Sequence, residues 1–300
     1  MKVVTKYNPQ MEFILSLFVF SNKKLLKKVD LGPKWRKETA NSFSAQFMEK
    51  IEDEDTQTSL SWIHSCILLG KTNGDTVEEL LTWASRTNED YPLKHPLNNL
   101  PEEPPISLTE IHPLLTEWNE TYFSKLSPEV FEGLKKQQAA TKQLLEQYSE
   151  IDVIDKATKG IYLEAQPDDL VVHLIPQYHA RPVVIYNLEE NTHFYQYSAD
   201  GIIGNDRTIA PEMLRVQQAL SDENRLKILK LLTTGPKTFK AVHHYIKLAK
   251  STVHHHLISL RAAGLVRLHI TPGKPDRYSF REQGLTDMES KILNFINFTG

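Results

Sequence analysis

The sequence predicts an α+β protein that is mainly helical and consists of two successive domains. Three observations support this fold class. Apolar residues recur at helical spacing through most of residues 1–150, short β-branched and aromatic runs follow at about 160–200, and three closely spaced helical segments precede a basic hairpin in the last third. With 300 residues, of which 40% are hydrophobic, the chain is long enough for two cores. We expect an N-terminal helical domain with a small antiparallel sheet at 1–204 and a second domain at 205–300.

Helical patterns fill most of the N-terminal domain. We expect helices at about 12–26, 41–52, 75–85, 108–123 and 128–148. The segment at 75–85 begins with an acidic turn, which suits the N-terminus of a helix. Residues 91–105 contain five prolines and can form neither a helix nor a central strand, so we interpret them as a connector.

Short strand-like runs follow at residues 161–164, 170–175, 183–186 and 192–197. The polar segment 187–191 between the last two predicts a hairpin turn. We therefore expect a small antiparallel sheet at about 160–200, attached to the helical part. Residues 201–205 are a plausible junction to the second domain.

Three short helices are predicted after residue 210. Ser221, followed by two acidic residues, suits the start of the first helix, and Thr238 can cap the second. Ser251 can cap a third helix at 251–263, with Val253, Leu257 and Leu260 facing inward. The close spacing of the last two helices is that of a helix-turn-helix.

A hairpin with a basic tip follows the third helix. Residues 265–270 and 277–280 are strand-like, and the segment 271–276 between them carries Lys274. This pattern predicts a wing at 270–277, so the second domain is expected to be a C-terminal winged helix-turn-helix.

Charge separates the two predicted domains. The whole chain has a formal net charge of −3, but residues 205–283 hold 14 lysines and arginines against 6 aspartates and glutamates, a local charge of about +8. The remainder therefore carries about −11. This asymmetry is typical of a nucleic-acid-binding domain beside an acidic domain.

The predicted geometry divides the DNA-binding residues into two groups. The first turns of the recognition helix enter the major groove, where short polar and imidazole groups can bond base edges. Basic side chains nearby suit phosphate contacts, which supply affinity without sequence choice. The candidate base-reading residues are Ser251, Thr252, His254, His255 and Ser259. The candidate phosphate-binding residues are Lys247, Lys250, Arg261, Lys274 and Arg277.

Three segments, residues 219–229, 251–257 and 260–266, together resemble the ArsR family of bacterial winged-helix regulators. The similarity covers about residues 212–283. It implies a homodimer that reads a pseudo-palindromic operator in double-stranded DNA and acts as a ligand-controlled repressor or activator. His256 matches a histidine typical of the family, whereas His254 stands where the family usually has serine, so the base preference does not transfer. More faintly, the N-terminal part resembles the long domain that precedes the winged helix in some regulators of Gram-positive bacteria.

Metal and cofactor chemistry has little support in the sequence. Metal sensors of this family use cysteine thiolates in the helix before the recognition helix, or Asp, His and Glu on the final helix. The first location, residues 239–246, has no cysteine, and the predicted final helix at 285–298 has no histidine. We therefore expect no metal and no cofactor.

Catalytic motifs are also missing: no glycine-rich phosphate loop, Gly-x-Ser-x-Gly or Cys-x-x-Cys is present, so we expect no catalytic residues. Two alternatives stay open. The N-terminal domain can be an enzyme with a DNA-binding appendage, or the winged helix can dock another protein.

An effector, either a small molecule or a protein, is expected to act on the N-terminal domain. His173, His179, Arg181 and Tyr186 are candidate ligand-binding residues, with packing histidines as the alternative reading. The four tryptophans, at positions 35, 62, 83 and 118, either belong to the core or line an aromatic cavity. Helices at 212–219 and 285–298 are candidate dimerisation elements.

The composition indicates the cellular compartment of the protein. The single cysteine, Cys66, excludes an internal disulfide bond and fits a reducing cytoplasm. No apolar run is long enough to span a bilayer, and the nearest, 13–20, is expected to be a buried helix. We therefore expect a cytoplasmic protein with no membrane partner.

Overall fold

The computed structural model describes residues 1–86, 97, 100–200, 202 and 209–297. The chain divides into two compact units. The helical unit comprises residues 6–136 and 175–199, and the winged unit comprises residues 1–5, 137–174 and 200–300. No helix in the described part of the chain is both long and apolar enough to cross a membrane.

Helices form most of the helical unit. They are α1 (Pro9–Ser21), α2 (Lys23–Leu26), α3 (Gly32–Ala40), α4 (Ala45–Glu52), α5 (Glu54–Leu68), α6 (Val77–Ala84), α7 (Leu108–Thr121) and the beginning of α8 (Pro128–Leu144), which continues into the winged unit. Polar capping residues define the N-termini of several helices. Thr76 and Glu79 form a capping box on α6, and Ser107 and Glu110 form one on α7. The expected helices are therefore present, while α3 and α5 were not predicted.

The core of the helical unit is built around α1, which is buried on nearly all sides. The Phe20 ring lies 4.9 Å from Trp118 and 5.8 Å from Trp35. Trp62 and Trp118 are fully buried, and Trp83 belongs to the same cluster. The tryptophans therefore belong to the core, which is the first of the two predicted alternatives.

Two strands form a hairpin in the helical unit. They are β4 (Ile185–Leu188) and β5 (Thr192–Ser198), paired antiparallel with Ile185 opposite Gln196. The predicted turn between them is confirmed, since the Glu189 N–H donates to the Thr192 carbonyl (2.9 Å). β5 also adjoins the end of β3 (Val171–Gln177), where the Ala199 N–H donates to the Gln177 carbonyl (2.9 Å).

The winged unit begins with elements that precede the helix-turn-helix. They are β1 (Lys2–Thr5), α9 (Glu150–Thr158), β2 (Ile161–Leu163) and the first residues of β3, with which β1 pairs in parallel. The remaining elements are α10 (Pro211–Leu220), α11 (Glu223–Leu232), β6 (Lys237–Thr238), α12 (Phe239–Ile246), α13 (Lys250–Ala262), β7 (Val266–Ile270), β8 (Arg277–Phe280) and α14 (Gln283–Asn297).

The wing sheet has the strand order β2-β7-β8-β6. β7 and β8 pair antiparallel, with Val266 opposite Phe280, and β2 pairs with β7 in parallel, with Ile161 opposite Leu268. The structure thus differs from the prediction, in which residues 161–164 belong to the small antiparallel sheet. The reason is that Ile161 and Leu163 are buried when this segment extends the wing. The predicted boundary at 204/205 falls within residues 203–208, which lie outside the described residues.

Candidate nucleic-acid interface

The helix-turn-helix begins with a capped helix, α11. Its cap is Asp222, whose carboxylate accepts a hydrogen bond from the Arg225 N–H (2.9 Å). Ser221, which the sequence suggested for this role, instead ends the preceding helix α10. The Arg225 guanidinium reaches back to the Ala219 carbonyl (2.9 Å) and fixes the start of α11 on the end of α10.

The turn between α12 and α13 differs from the prediction by one residue. Thr238 caps α12 as expected, by accepting from the Ala241 N–H (3.3 Å). Lys247 ends α12 in the left-handed conformation, with φ 54°. The chain therefore re-enters helical geometry at Lys250, and Ala249 occupies the cap position without a side-chain hydrogen bond. The predicted cap at Ser251 is wrong: Ser251 lies inside the first turn, and its side chain is exposed.

α13 has one face in the core and one face in solvent. Val253, Leu257 and Leu260 are buried, as predicted from their spacing. The opposite face of the first two turns exposes the side chains of Ser251, Thr252, His254 and His255. Ser259, one turn further on, is half-buried, and its hydroxyl donates to the His255 carbonyl (3.0 Å). The helix thus presents short polar and imidazole groups at its N-terminal end, where a recognition helix contacts bases.

His256 differs from its two histidine neighbours because it is buried, at 6% exposure. Its Nδ1 lies 3.9 Å from the Asp222 carboxylate, too far for a hydrogen bond. Burial lowers the pKa of His256 and outweighs the opposite effect of the Asp222 charge. His256 is therefore a neutral packing residue between α13 and the start of α11, while His254 and His255 point outward.

The five candidate phosphate-binding residues have different surroundings. Lys247, Lys250 and Lys274 have exposed side chains around the recognition helix and at the wing tip. Arg261 is engaged inside the winged unit: its Nη1 donates to the Lys159 carbonyl (2.9 Å) and to the Val266 carbonyl (3.3 Å), so it holds the base of the wing sheet. Arg277 is half-buried and forms an ion pair with Glu164.

Glu164, just after β2, anchors the wing. One carboxylate oxygen accepts from His269 Nδ1 (2.8 Å), and the other accepts from the Thr271 hydroxyl (3.0 Å) and from Arg277. Burial alone would raise the pKa of Glu164, but the bonds from His269 and Thr271 and the charges of His269 and Arg277 lower it. The wing therefore has a fixed carboxylate partner from outside the helix-turn-helix.

Asp155 performs a similar role at the base of the wing. This buried carboxylate on α9 accepts from Arg267 Nε (3.0 Å) and from Arg281 Nε (3.3 Å). Asp155 and Glu164 were not predicted as wing residues, since both precede the wing by more than a hundred residues. The one available signal was the surplus of arginines in and around the wing, each of which needs an acceptor when partly buried.

The candidate ligand-binding residues have different surroundings. In the helical unit, His179 is fully buried, bonded to Glu12 and, through Nε2, to the Tyr122 hydroxyl (2.9 Å). Arg181 is also buried, donates to the Tyr178 carbonyl (2.8 Å) and lies over the Tyr178 ring. The Tyr186 side chain is exposed on β4. His173 lies on β3 in the winged unit, opposite Val4 of β1. His179 and Arg181 are therefore occupied by internal partners, which favours the packing interpretation for both.

Comparison with known proteins identifies relatives of the C-terminal region. The sequence profile of bacterial regulatory proteins of the ArsR family matches residues 222–267. The transcriptional repressor SdpR of Bacillus subtilis strain 168 is 35% identical over 85 residues, which are 28% of this chain and 93% of the repressor. The profile match spans α11, α12 and α13 and ends at the second residue of β7.

Two solved structures are similar over the same share of the chain. An ArsR-like transcriptional regulator from Rhodococcus sp. RHA1 is 27% identical, with a TM-score of 0.26, covering 27% of this chain and 76% of the regulator. A homodimeric winged helix-turn-helix DNA-binding domain of a possible ArsR-family regulator from Mycobacterium bovis is 23% identical, with a TM-score of 0.24. That match covers 30% of this chain and 82% of the domain.

Proposed function

Since the chain belongs to the ArsR family of bacterial regulatory proteins through its C-terminal region, we propose that it is a sequence-specific DNA-binding transcriptional repressor. α13 enters the major groove, and the wing at 270–277 lies along the DNA backbone. The protein acts in the cytoplasm. The likeness to a curated repressor supports repression over activation.

One observation carries the proposal: the first two turns of α13 expose Thr252, His254 and His255, while Val253 and Leu257 anchor the helix in the core. Rigid support matters, because a side chain reads a base only when its helix holds it in register with the groove. A hydroxyl and two imidazoles offer both donors and acceptors to base edges. Ser251 and Ser259, at either end of this face, complete the proposed reading surface.

Lysines supply the phosphate contacts in this proposal. Lys247 and Lys250 flank the N-terminal end of α13, and Lys274 lies at the wing tip; all three side chains are exposed. Arg277 contributes only through the part of its guanidinium that Glu164 does not engage. Arg261 is left out, because its Nη1 is bonded to two backbone carbonyls that fix the guanidinium against the wing sheet.

We further propose that the active form is a homodimer on a pseudo-palindromic operator. α14 carries Leu293 and Ile296, which are 51% and 68% exposed, and α10, which contacts α14, carries the exposed Leu214. Apolar side chains at this exposure on neighbouring helices favour burial against a second copy. Two recognition helices then reach two half-sites, whose spacing mirrors the two-fold axis.

The helical unit is proposed to receive an effector that changes the DNA affinity of this dimer. The repressor match covers 28% of the chain, so most of the remaining residues have no counterpart in that relative. The helical unit has a core of its own and is large enough to hold a ligand.

The direct test is fluorescence anisotropy with labelled duplexes that tile the promoter of the gene encoding the chain, titrated at several salt concentrations. We expect one duplex to bind at least a thousandfold more tightly than a scrambled duplex of the same composition. Thr252→Ala and His255→Ala should each lose about 1–3 kcal/mol on that duplex and relax base preference at single positions.

The control is Lys274→Ala, which should weaken binding to specific and scrambled duplexes by the same factor. Equal affinity of the unaltered protein for every duplex would contradict sequence-specific recognition. If binding is specific but insensitive to both α13 substitutions, residues other than Thr252 and His255 must read the bases.

A further inference from the structure

The helical unit contains a small cavity. It has a volume of about 110 Å³, is partly open at the surface and lies between α1, α5 and β4. Its lining is Ile14, Leu15 and Phe18 from α1, Leu60, Ser61 and His64 from α5, and Ile185 and Asn187 from β4. Five of these eight side chains are apolar and none carries a formal charge, apart from what the protonation of His64 would add.

The charge state of His64 decides what kind of ligand the cavity accepts. Burial lowers the pKa of His64 to about 4, although a hydrogen bond with Gln196 acts in the opposite direction. The imidazole is therefore neutral near pH 7. A cavity without any charged group cannot compensate the lost hydration of an ion, so its ligand must be uncharged.

His64 gives the cavity a polar end that adapts to its ligand. The amide nitrogen of Gln196 donates to Nε2 of the His64 ring (2.7 Å). The ring proton of His64 is then on Nδ1, which can act as a donor. The Gln196 amide oxygen is buried and has no hydrogen-bond partner among the described residues. Rotating this amide would place the oxygen against the ring, so that Nε2 donates and Nδ1 accepts. The pair can thus serve a ligand hydroxyl in either direction.

The volume sets the size of the ligand. An apolar cavity of about 150 Å³ holds one benzene molecule. A cavity of about 110 Å³ with one open side therefore fits a single small ring or a short branched chain.

From the mainly apolar lining, the hydrogen-bonding imidazole of His64 and the volume together, we propose that this cavity binds a small uncharged organic molecule, mainly apolar, with one hydroxyl directed at His64. Phenol represents this chemical class. The binding itself is independent of the proposed DNA function; only its regulatory consequence, a change in operator affinity, rests on that function.

The test uses the full chain and ligand-observed NMR with three probes of similar size. Phenol should bind most tightly, toluene at least fivefold more weakly because it lacks the hydroxyl, and benzoate should not bind because it is charged at neutral pH. His64→Leu should remove the preference for phenol over toluene while both still bind. An unchanged preference in this variant would overturn the role of His64.

Filling the cavity tests its location. Ser61→Leu adds bulk from α5 and should weaken phenol binding at least tenfold. Thr58→Leu is the matched control: Thr58 lies on the same helix, its hydroxyl donates to a carbonyl four residues earlier as that of Ser61 does, and it does not line the cavity. Ile185→Phe fills the cavity from β4 and serves as a second variant if Ser61→Leu does not fold.

Unchanged phenol binding in either folded cavity-filling variant, or no binding of phenol and toluene to the unaltered chain at millimolar concentration, would overturn the site. With the site established, phenol should change operator affinity at least fivefold, and the operator should change phenol affinity by the same factor. Phenol binding without any effect on a demonstrated operator complex would overturn its regulatory role. Failure to find an operator would count against the DNA function alone, because the NMR readout does not involve DNA.

Discussion

Glu164, the residue after β2, forms an ion pair with Arg277, the first residue of the second wing strand β8. The same carboxylate binds His269 and Thr271, so one acidic group holds both wing strands and the start of the tip. An arginine expected from the sequence to contact phosphate is therefore partly neutralised by its own chain. The position of the wing depends on a residue outside the helix-turn-helix.

Replacing this carboxylate should loosen the wing. We expect Glu164→Gln to lower the local stability of β7 and β8 by about 1–3 kcal/mol, because three donors lose a charged acceptor. The measurement is hydrogen exchange of the amides of both strands. Since the folded state lowers the pKa of Glu164, its stabilising effect is present above the ordinary carboxyl pKa and is lost as the pH falls below it. The difference between the two proteins should therefore shrink below about pH 4.

The matched control is Glu189→Gln, an exposed carboxylate in the β4–β5 turn of the other unit. It should leave wing exchange unchanged at every pH. Equal protection of β7 and β8 in Glu164→Gln and in the unaltered chain would show that the wing is held by other contacts.

The arginines of the winged unit differ from the exposed lysines Lys247, Lys250 and Lys274. Every arginine of that unit within the described residues bonds to a carboxylate or carbonyl of the same unit: Arg215, Arg225, Arg261, Arg267, Arg277 and Arg281. The planar guanidinium with several donors suits such fixed bonds, while a lysine keeps its charge in solvent. Much of the local positive charge is therefore structural.

This division predicts opposite phenotypes for Lys250 and Arg261. Lys250→Gln should reduce the slope of log K against log salt for DNA binding by about 0.9, the value for one phosphate contact, with little effect on stability. Arg261→Gln should lower the melting temperature, because two partly buried backbone carbonyls lose this donor, and should leave the salt slope unchanged. Anisotropy across a salt series and thermal unfolding separate the two.

Lys135→Gln, an exposed lysine on α8 in the helical unit, is the control and should change neither quantity. A reduced salt slope in Arg261→Gln would restore this residue to the interface and contradict its structural role.

The helix-turn-helix was predictable because its signals are local. The spacing of Val253, Leu257 and Leu260 gives the inward face of α13, and the hydroxyl of Thr238 gives the start of α12. The predicted caps at Ser221 and Ser251 lie one and two residues from the observed caps, Asp222 and Ala249. The exact end of a helix varies by one or two residues, and tertiary packing decides which residue becomes the cap.

The non-local features could not be predicted in this way. β2 has the composition of any short strand, and nothing in residues 161–163 shows that their partner is β7, more than a hundred residues later. The partners of Arg267 and Arg277 are carboxylates from the same distant segment. The same limit applies to the cavity, whose lining comes from three separate parts of the chain. Pairing at such separation depends on the whole fold.

The exposed apolar side of α14 predicts self-association. Ile296→Asp should convert a dimer into a monomer at micromolar concentration, because a buried unpaired carboxylate is costly at an interface. Sedimentation velocity measures the change. Asn294→Asp adds the same charge at an exposed position that points away from both Leu293 and Ile296, and it should leave the dimer intact. A monomer already present in the unaltered chain at that concentration would contradict the proposed interface.

The half-buried imidazole of His64 predicts acid sensitivity of the helical unit. The pKa of His64 is about 4 in the folded protein, against about 6.5 for an imidazole in the unfolded chain. Below pH 6.5 the unfolded chain therefore binds a proton that the folded chain does not, so the free energy of unfolding falls as the pH falls. The loss between pH 6.5 and pH 4 should be about 3 kcal/mol.

Tryptophan fluorescence can follow this loss selectively, because all four tryptophans lie in the helical unit. His64→Leu is expected to be less stable at neutral pH, since Gln196 loses its partner, and to show a pH dependence about 3 kcal/mol smaller over this range. His244→Gln, which changes an exposed histidine of the winged unit, should keep the full pH dependence. If His64→Leu and the unaltered chain lose the same free energy between pH 6.5 and pH 4, His64 must be protonated in the folded state. A charged imidazole would also remove the reason for expecting an uncharged ligand in the cavity that it lines.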